Sequence, residues 1–182
     1  MKKSRMLAMF FLMTSVGLIT SCGKDDHDHD EEELITSVNV VVTETGTTNV
    51  QTFSFKDSDG PGGLAPTKFD SIILNANKSY AVSLEFLNES TSPAENITTE
   101  IKAEANDHQL YFQPTGVALN VSNLDADSKG LPLGLTSTWT AGAPGKGSIK
   151  ITLKHKPAAK AAGDPVTKGE TDVELDFGVR LR

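Results

Sequence analysis

The chain has 182 residues, a formal charge of −7, one cysteine and 6% aromatic residues. The acidic balance argues against nucleic acid and against flat binding to anionic lipid, because both carry the same sign of charge. A single cysteine leaves no internal disulfide, so core burial must stabilise the fold, and ~150 residues can cover roughly 70% of their surface.

The first 21 residues are predicted to be a signal peptide. Lys2, Lys3 and Arg5 precede an apolar run over 7–19, which is shorter than the ~20 apolar residues of a membrane-spanning helix. The following stretch LITSC resembles a bacterial lipobox, which implies cleavage before Cys22 and lipid attachment to its sulfur. The alternative is an ordinary secreted protein in which this cysteine is incidental.

Residues 22–33 are predicted to form a disordered acidic tether. They hold seven acids, one lysine and no apolar residue beyond Cys22, and like charges at that density keep a segment solvated. His27 and His29 alternate with aspartates and could collect divalent cations. Ordering such a segment costs conformational entropy, so we expect this tail site to be weak. A single domain is predicted over 34–182.

From Leu34 onward, hydrophobicity alternates with a period of two, which is typical of strands with one buried face. Polar residues on the opposite face indicate antiparallel sheets that cover one core. We therefore predict an all-β, immunoglobulin-like antiparallel β-sandwich of about nine strands. The strand runs are 38–42, 53–55, 72–74, 80–86, 110–112, 117–121, 135–140, 149–153 and 173–181.

Two segments depart from the strand pattern. Ser92 is a candidate N-cap, Pro93 suits the first helical position and Glu95 completes a capping box, so a short helix is predicted near 93–107. Its apolar stripe would consist of Ala94, Ile97, Ile101 and Ala105. Residues 156–170 contain glycine and prolines without a strand pattern, and we expect them to form a long exposed connection.

Recognisable catalytic motifs are absent from the sequence. The chain has no Gly-x-Ser-x-Gly elbow and no glycine-rich phosphate loop, and its only cysteine lies in the lipobox. His108 and His155 are the only histidines of the predicted domain, so a nucleophilic serine has few candidate bases. We therefore expect a protein that is not an enzyme.

Two acidic loops are candidates for binding Ca²⁺. Asp57 and Asp59 lie in KDSDGPGG, and Asp125 and Asp127 lie in LDADSKG. Ca²⁺ takes several oxygen ligands from a sharply turning backbone, which Asp-x-Asp followed by glycine provides. Neither loop has the later glutamate of an EF-hand. The alternative is that aspartate, serine and glycine are simply turn residues, which requires no ion.

A second metal candidate lies on the predicted helix. Glu100, Glu104 and His108 are spaced four residues apart, so they would line one side of a helix that reached His108. Two carboxylates and an imidazole could bind Zn²⁺. The alternative is a solvated face opposite the apolar stripe. His155 continues the apolar face of its strand, and we expect it to be a partly buried histidine at the strand end.

The stretch CGKDDHDHDEEE resembles the export signal of Bacteroidota lipoproteins, in which acidic residues follow the lipidated cysteine. This resemblance implies transport across the outer membrane to the cell surface. DSI at residues 70–72 also matches the short O-glycosylation pattern of that phylum, with Ser71 as the acceptor.

The remaining chain resembles a family of small Bacteroidota lipoproteins, through ELITSVNVVVTET, DSDGPGG, SPAENITTEI, EANDHQLYF and GETDVELDFGV. Its members often carry the name "type 1 periplasmic binding fold superfamily protein". That name implies two α/β lobes and about twice this length, which conflicts with the period-two pattern. Lipoproteins of this kind often accompany TonB-dependent outer-membrane receptors, and the resemblance transfers no functional residue.

These observations predict a lipid-anchored protein of the outer membrane, exposed at the cell surface, that acts as a non-enzymatic binding or accessory module. Uptake of a divalent metal or nutrient beside a TonB-dependent receptor is the most concrete version, with Ca²⁺ or Zn²⁺ as the bound ion. The alternative is a structural or adhesive surface protein that binds no small ligand.

Overall fold

A computed structural model describes residues 34–60 and 62–182 of the chain. The predicted signal peptide, the lipidated Cys22 and the tail histidines His27 and His29 lie outside the described residues. Within the described part, none of the helices has the length and apolar character needed to cross a membrane.

Ten strands and one helix form the described part of the chain. All nine predicted runs contain a strand. The one strand that was not predicted, at residues 68–69, has only two residues, which are too few to show a period. The elements are β1 (Ser37–Glu44), β2 (Val50–Lys56), β3 (Lys68–Phe69), β4 (Ile72–Leu74), β5 (Ser79–Leu87), α1 (Ile97–Ala103), β6 (His108–Thr115), β7 (Leu119–Ser122), β8 (Thr136–Ala141), β9 (Gly145–His155) and β10 (Glu170–Leu181).

The strands form two sheets, which confirms the predicted all-β sandwich. One sheet has the order β3-β2-β1-β5-β8-β7 and the other has the order β4-β10-β9-β6. The prediction of wholly antiparallel sheets is wrong at one pair, because β4 runs parallel to β10, with Ile72 opposite Val179. Since β1 lies inside its sheet, the strand order also differs from the ABED and CFG sheets of an immunoglobulin constant domain.

The inward faces of the two sheets form one hydrophobic core. Val38, Val40 and Val42 are fully buried, as the alternation predicts, and burying a side chain of this kind contributes ~1.5–3 kcal/mol. The large aromatic residues keep partners for their polar groups. Trp139 is fully buried, and its Nε1 donates a hydrogen bond to Ser137 Oγ at 3.0 Å.

The helix is shorter at both ends than the predicted 93–107. Before it, Glu95 forms a β-bridge with Asn88, with backbone N–O distances of 2.9 and 3.0 Å, so this stretch is extended and the predicted capping box does not form. After Ala103 the chain turns, because His108 already pairs with a neighbouring strand as the first residue of β6. The strand pairing therefore ends the helix.

One end of the sandwich holds α1, the start of β6 and the end of β9, and we call it the helix end. Each strand in the series β2-β1-β5-β8-β7 is antiparallel to the next, so β2, β5 and β7 all finish at one end. The amide of Leu110 in β6 donates to Leu133 just before β8, which places the start of β6 at that same end. Ile97 and Ile101 of α1 are buried there.

The connection between β9 and β10 is largely exposed, as predicted, but the side chains of two of its lysines are buried. Lys156 is 1% exposed, and its Nζ donates hydrogen bonds to Gln109 Oε1 at 2.9 Å and to the Tyr111 hydroxyl. Lys160 Nζ lies 2.9 Å from Asp127 Oδ2, with both side chains almost completely buried. The connection therefore folds onto the outward-facing side chains of β6 and is held by ion pairs.

Candidate metal centre

The pairing of β6 with β9 places two histidines side by side at the helix end. His108 is directly opposite His155, and their rings stack with centroids 4.7 Å apart and an interplanar angle of 17°. Leu110 and Leu153 are the next inward residues along these strands and are fully buried. Because side chains alternate across a strand, both histidines belong to the inward face, where the core reaches its polar rim.

Glu104 completes a cluster of three potential metal ligands. It lies directly after α1, and the Nδ1 atom of His108 is 3.2 Å from the Glu104 carbonyl oxygen. One ligand atom from each of Glu104, His108 and His155 lies within 4.8 Å of the others. Neighbouring ligands of a tetrahedral Zn²⁺ are about 3.3 Å apart, given bond lengths of ~2.0–2.1 Å. A modest movement of the exposed Glu104 side chain and of the half-buried His155 would close the cluster.

A β-bulge brings a second acidic group to His108. The register of β10 against β9 shifts between Thr171 and Val173, so Asp172 has no opposite residue on β9. Its Oδ2 atom lies 3.9 Å from His108 Nε2, and the two side chains are 5% and 3% exposed. Bulges commonly redirect a side chain next to a functional site.

Burial sets the charge of the central imidazole. Desolvation lowers the pKa of His108 below its ordinary value, the hydrogen bond with the Glu104 carbonyl opposes this shift, and the neighbouring His155 adds to it. A neutral imidazole is the form that binds a metal. If Nδ1 donates its proton to the Glu104 carbonyl, the lone pair is on Nε2, which is the tautomer usually fixed by a backbone partner in metal sites.

The cluster differs from the predicted line of Glu100, Glu104 and His108. That line required a helix continuing to His108, whereas α1 ends at Ala103. Glu100 lies on the exposed side of α1 and is not part of the cluster, whose third member is His155. The alternation in β9 did place His155 on the inward face, but nothing in the sequence indicated that β6 would be its partner strand.

The loop after β7 uses its predicted calcium ligands for other contacts. Asp125 Oδ1 accepts hydrogen bonds from the amides of Gly134 and Thr136, both at 2.9 Å. Asp127 Oδ1 accepts from two amides of its own loop, at 2.8 and 2.9 Å, and its other oxygen pairs with Lys160. The calcium prediction stays untested by binding, but these contacts favour the turn interpretation.

The loop after β2 differs from the loop after β7. Asp57 is buried and its Oδ1 has no hydrogen-bond partner among the described residues, while the exposed Asp59 accepts a hydrogen bond from the Leu64 amide at 2.7 Å. Both loops leave the sheet at the helix end. Four strand spacings separate β2 from β7, or ~19 Å, so the loops cannot share one ion.

The predicted glycosylation acceptor Ser71 is exposed between β3 and β4, with its hydroxyl beside Gly178. Its modification stays a prediction.

No protein-family model, no curated protein and no solved structure matches the chain. The candidate metal centre is therefore interpreted from its own geometry and chemistry.

Proposed function

We propose that this protein is a non-enzymatic binding module, anchored by lipid on Cys22 to the outer membrane and exposed at the cell surface. We propose further that it binds a transition-metal ion, with Zn²⁺ as the best chemical match. The observation that carries this proposal is the convergence of Glu104, His108 and His155, whose ligand atoms lie within 4.8 Å of one another. A TonB-dependent receptor is the proposed partner for uptake.

The donor set favours zinc over a harder cation. Two imidazole nitrogens and one carboxylate are the ligands of many zinc sites, whereas Ca²⁺ and Mg²⁺ prefer oxygen atoms alone. The uncharged state of the buried His108 favours coordination, because no proton must leave its free nitrogen. Asp172, 3.9 Å from His108, adds a negative charge beside the proposed cation.

The test is a titration of the purified, chelator-treated protein with Zn²⁺, followed by calorimetry and by the melting temperature. At a hundredfold excess over Kd, an ion that binds only the native state stabilises it by about 2.7 kcal/mol. We expect Glu104→Gln and His155→Gln each to raise Kd at least about tenfold. Glu100→Gln is the matched control, since it removes another exposed carboxylate, which lies on α1 outside the cluster.

An unchanged Kd in Glu104→Gln, or an equal loss of affinity in the Glu100 control, would contradict the proposed cluster.

A variant with both His27 and His29 replaced by alanine separates binding by the tail from binding by the domain. We expect it to lose only a weak class of sites, because a disordered segment must be ordered before it can bind. Replacing bound Zn²⁺ with Co²⁺ would add a visible spectrum that reports the coordination geometry.

The second candidate is an accessory or adhesive surface protein without a small ligand. The outward face of β1, β5 and β8 favours it, because this face is uncharged over a shallow depression of about 340 Å³ lined by Thr43, Ser83, Thr136 and Thr138. Co-purification in mild detergent separates the candidates. The accessory function is supported if a receptor co-purifies in stoichiometric amount, if Thr138→Arg abolishes this co-purification, and if removal of zinc does not.

A further inference from the structure

The loop after β2 buries a carboxyl group that no basic side chain neutralises. Asp57 is 8% exposed and its Oδ1 has no hydrogen-bond partner among the described residues. The two nearest lysines in the sequence are occupied elsewhere in the described ion pairs, since Lys56 pairs with Glu89 at 2.9 Å and Lys68 with Asp70 at 3.1 Å. The backbone amides of Asp59 and Gly60 interact with this carboxyl group but carry no charge, so a proton or a cation must balance it.

A second carboxyl group faces Asp57 from the same loop. Asp59 Oδ2 accepts a hydrogen bond from the Leu64 amide at 2.7 Å and lies so close to Gly63 that a Cβ at that position would be 2.3 Å away. Burial raises the pKa of Asp57, its interaction with the Asp59 carboxyl group raises it further, and the backbone amides of Asp59 and Gly60 oppose the shift. Two carboxyl groups in such contact share either one proton or one cation.

We propose that Asp57 and Asp59 bind Ca²⁺ at a site separate from the histidine cluster. The donors are all oxygen, which suits a hard cation and offers nothing to a softer one. Asp57 supplies a buried oxygen that has no other partner, and the exposed Asp59 leaves the opposite side of the ion open to water. With two protein carboxylates, we expect a Kd on the order of 10⁻⁴ to 10⁻³ M, the range of extracellular calcium modules.

The loop backbone is already shaped for a bound ion. Gly60 and Gly62 have φ values of +77° and +90°, a conformation that side-chain-bearing residues rarely adopt, and they turn the chain tightly after Asp57. The amide of Asp57 donates to Thr36 at 2.8 Å, so the buried ligand is tied to the segment that leads into β1. Calcium would therefore join the β2–β3 loop to the point where the chain enters the domain.

The experiment measures the melting temperature and calorimetric binding of the full, chelator-treated protein at pH 7.5, with CaCl₂ and MgCl₂ at equal ionic strength. We expect Ca²⁺ to raise the melting temperature and Mg²⁺ to raise it much less. In Asp59→Asn the Ca²⁺ affinity should be at least tenfold weaker. Asp176→Asn, an exposed aspartate on β10, is the matched control and should keep the response. Glu104→Gln should keep it too, which separates this site from the proposed zinc centre.

Three results would overturn the proposal. One is the absence of a calcium response up to about 10 mM, well above the expected Kd. Another is an equal response to both cations, which would indicate ionic screening. The third is a calcium response that persists in both Asp59→Asn and Asp57→Asn. If calcium has no effect and Asp57→Asn melts at a higher temperature at pH 7.5, the pair shares a proton instead.

Discussion

Several polar side chains are buried at the helix end. His108, Lys156 and Asp127 each lie almost fully inside the protein, and each has a named partner: the Glu104 carbonyl, Gln109 and Lys160, respectively. Burying such groups costs free energy that the partner must offset. At the residue scale, stability therefore depends on protonation states and pairings that a hydrophobic pattern cannot express.

The metal-free protein should lose stability as the pH falls below about 6.5 because of His108. An unfolded histidine titrates near 6.5, whereas burial lowers the pKa of folded His108. Between these two pKa values the unfolded chain binds more protons, so the free energy of unfolding decreases as the pH falls and is fully retained above the unfolded pKa. Glu104 and Asp107 oppose this shift and His155 adds to it.

Urea unfolding in EDTA at several pH values from 7.5 to 5.0 measures this dependence. In His108→Gln the slope of the unfolding free energy against pH should decrease over that window, because glutamine does not titrate. His155→Gln tests whether the dependence belongs to the other imidazole. If the wild type and His108→Gln show the same slope, His108 does not carry the pH dependence.

At the scale of elements, alternation located the strands because each strand buries one face. In β5, Tyr80, Val82, Leu84 and Phe86 are all buried, as predicted. The same signal is local, so it could not show that β4 would join β10 in parallel from the far end of the chain. Nor could it show that Glu95 would be held by Asn88, where a long-range bridge overrides the capping pattern.

The candidate site was predictable only in part for the same reason. Glu104 and His108 were expected as a pair because they are close in sequence. His155 and Asp172 lie far along the chain from His108, and they reach it through strand pairing and a bulge. Likewise, nothing in the sequence indicated that Lys160 would pair with Asp127. This ion pair occupies the carboxylate oxygen that a calcium ion would need.

The connection between β9 and β10 should depend on the buried pair of Lys160 and Asp127. Lys160→Met removes the cation from a carboxylate with a fully buried side chain, and breaking a buried pair from one side costs about 3 kcal/mol or more. Lys168→Met is the matched control, because Lys168 is 38% exposed and solvent screens its pair with Asp164, which should therefore contribute much less. The urea midpoint at a constant m-value measures both changes.

A second variant tests whether the uncompensated charge is the cause. Asp127→Asn keeps an oxygen that can accept from the Lys129 and Leu131 amides, so adding it to Lys160→Met should recover part of the lost stability. Equal destabilisation by Lys160→Met and the Lys168 control would show that the pair does not hold the connection. Failure of the double variant to recover would point to lost packing of the lysine stem instead.

At the scale of the whole molecule, both proposed ion sites share an end with the point where the chain enters the domain. β1 is antiparallel to β2, so β1 begins where β2 finishes, at the helix end.

The anchor and the acidic run make separable predictions for the whole protein. In detergent phase separation, Cys22→Ser should move the protein from the detergent phase to the aqueous phase, because no acyl chain remains to hold it in the membrane.

Replacing the seven acids of 25–33 with their amides should leave the anchor intact but remove the charges of the proposed export signal. We expect that variant to resist protease added to intact cells, while the wild type is digested. Replacing only His27 and His29 with alanine is the control and should leave surface exposure unchanged. Digestion of the amide variant at the wild-type rate would refute the export interpretation, whereas membrane retention of Cys22→Ser would refute the anchor itself.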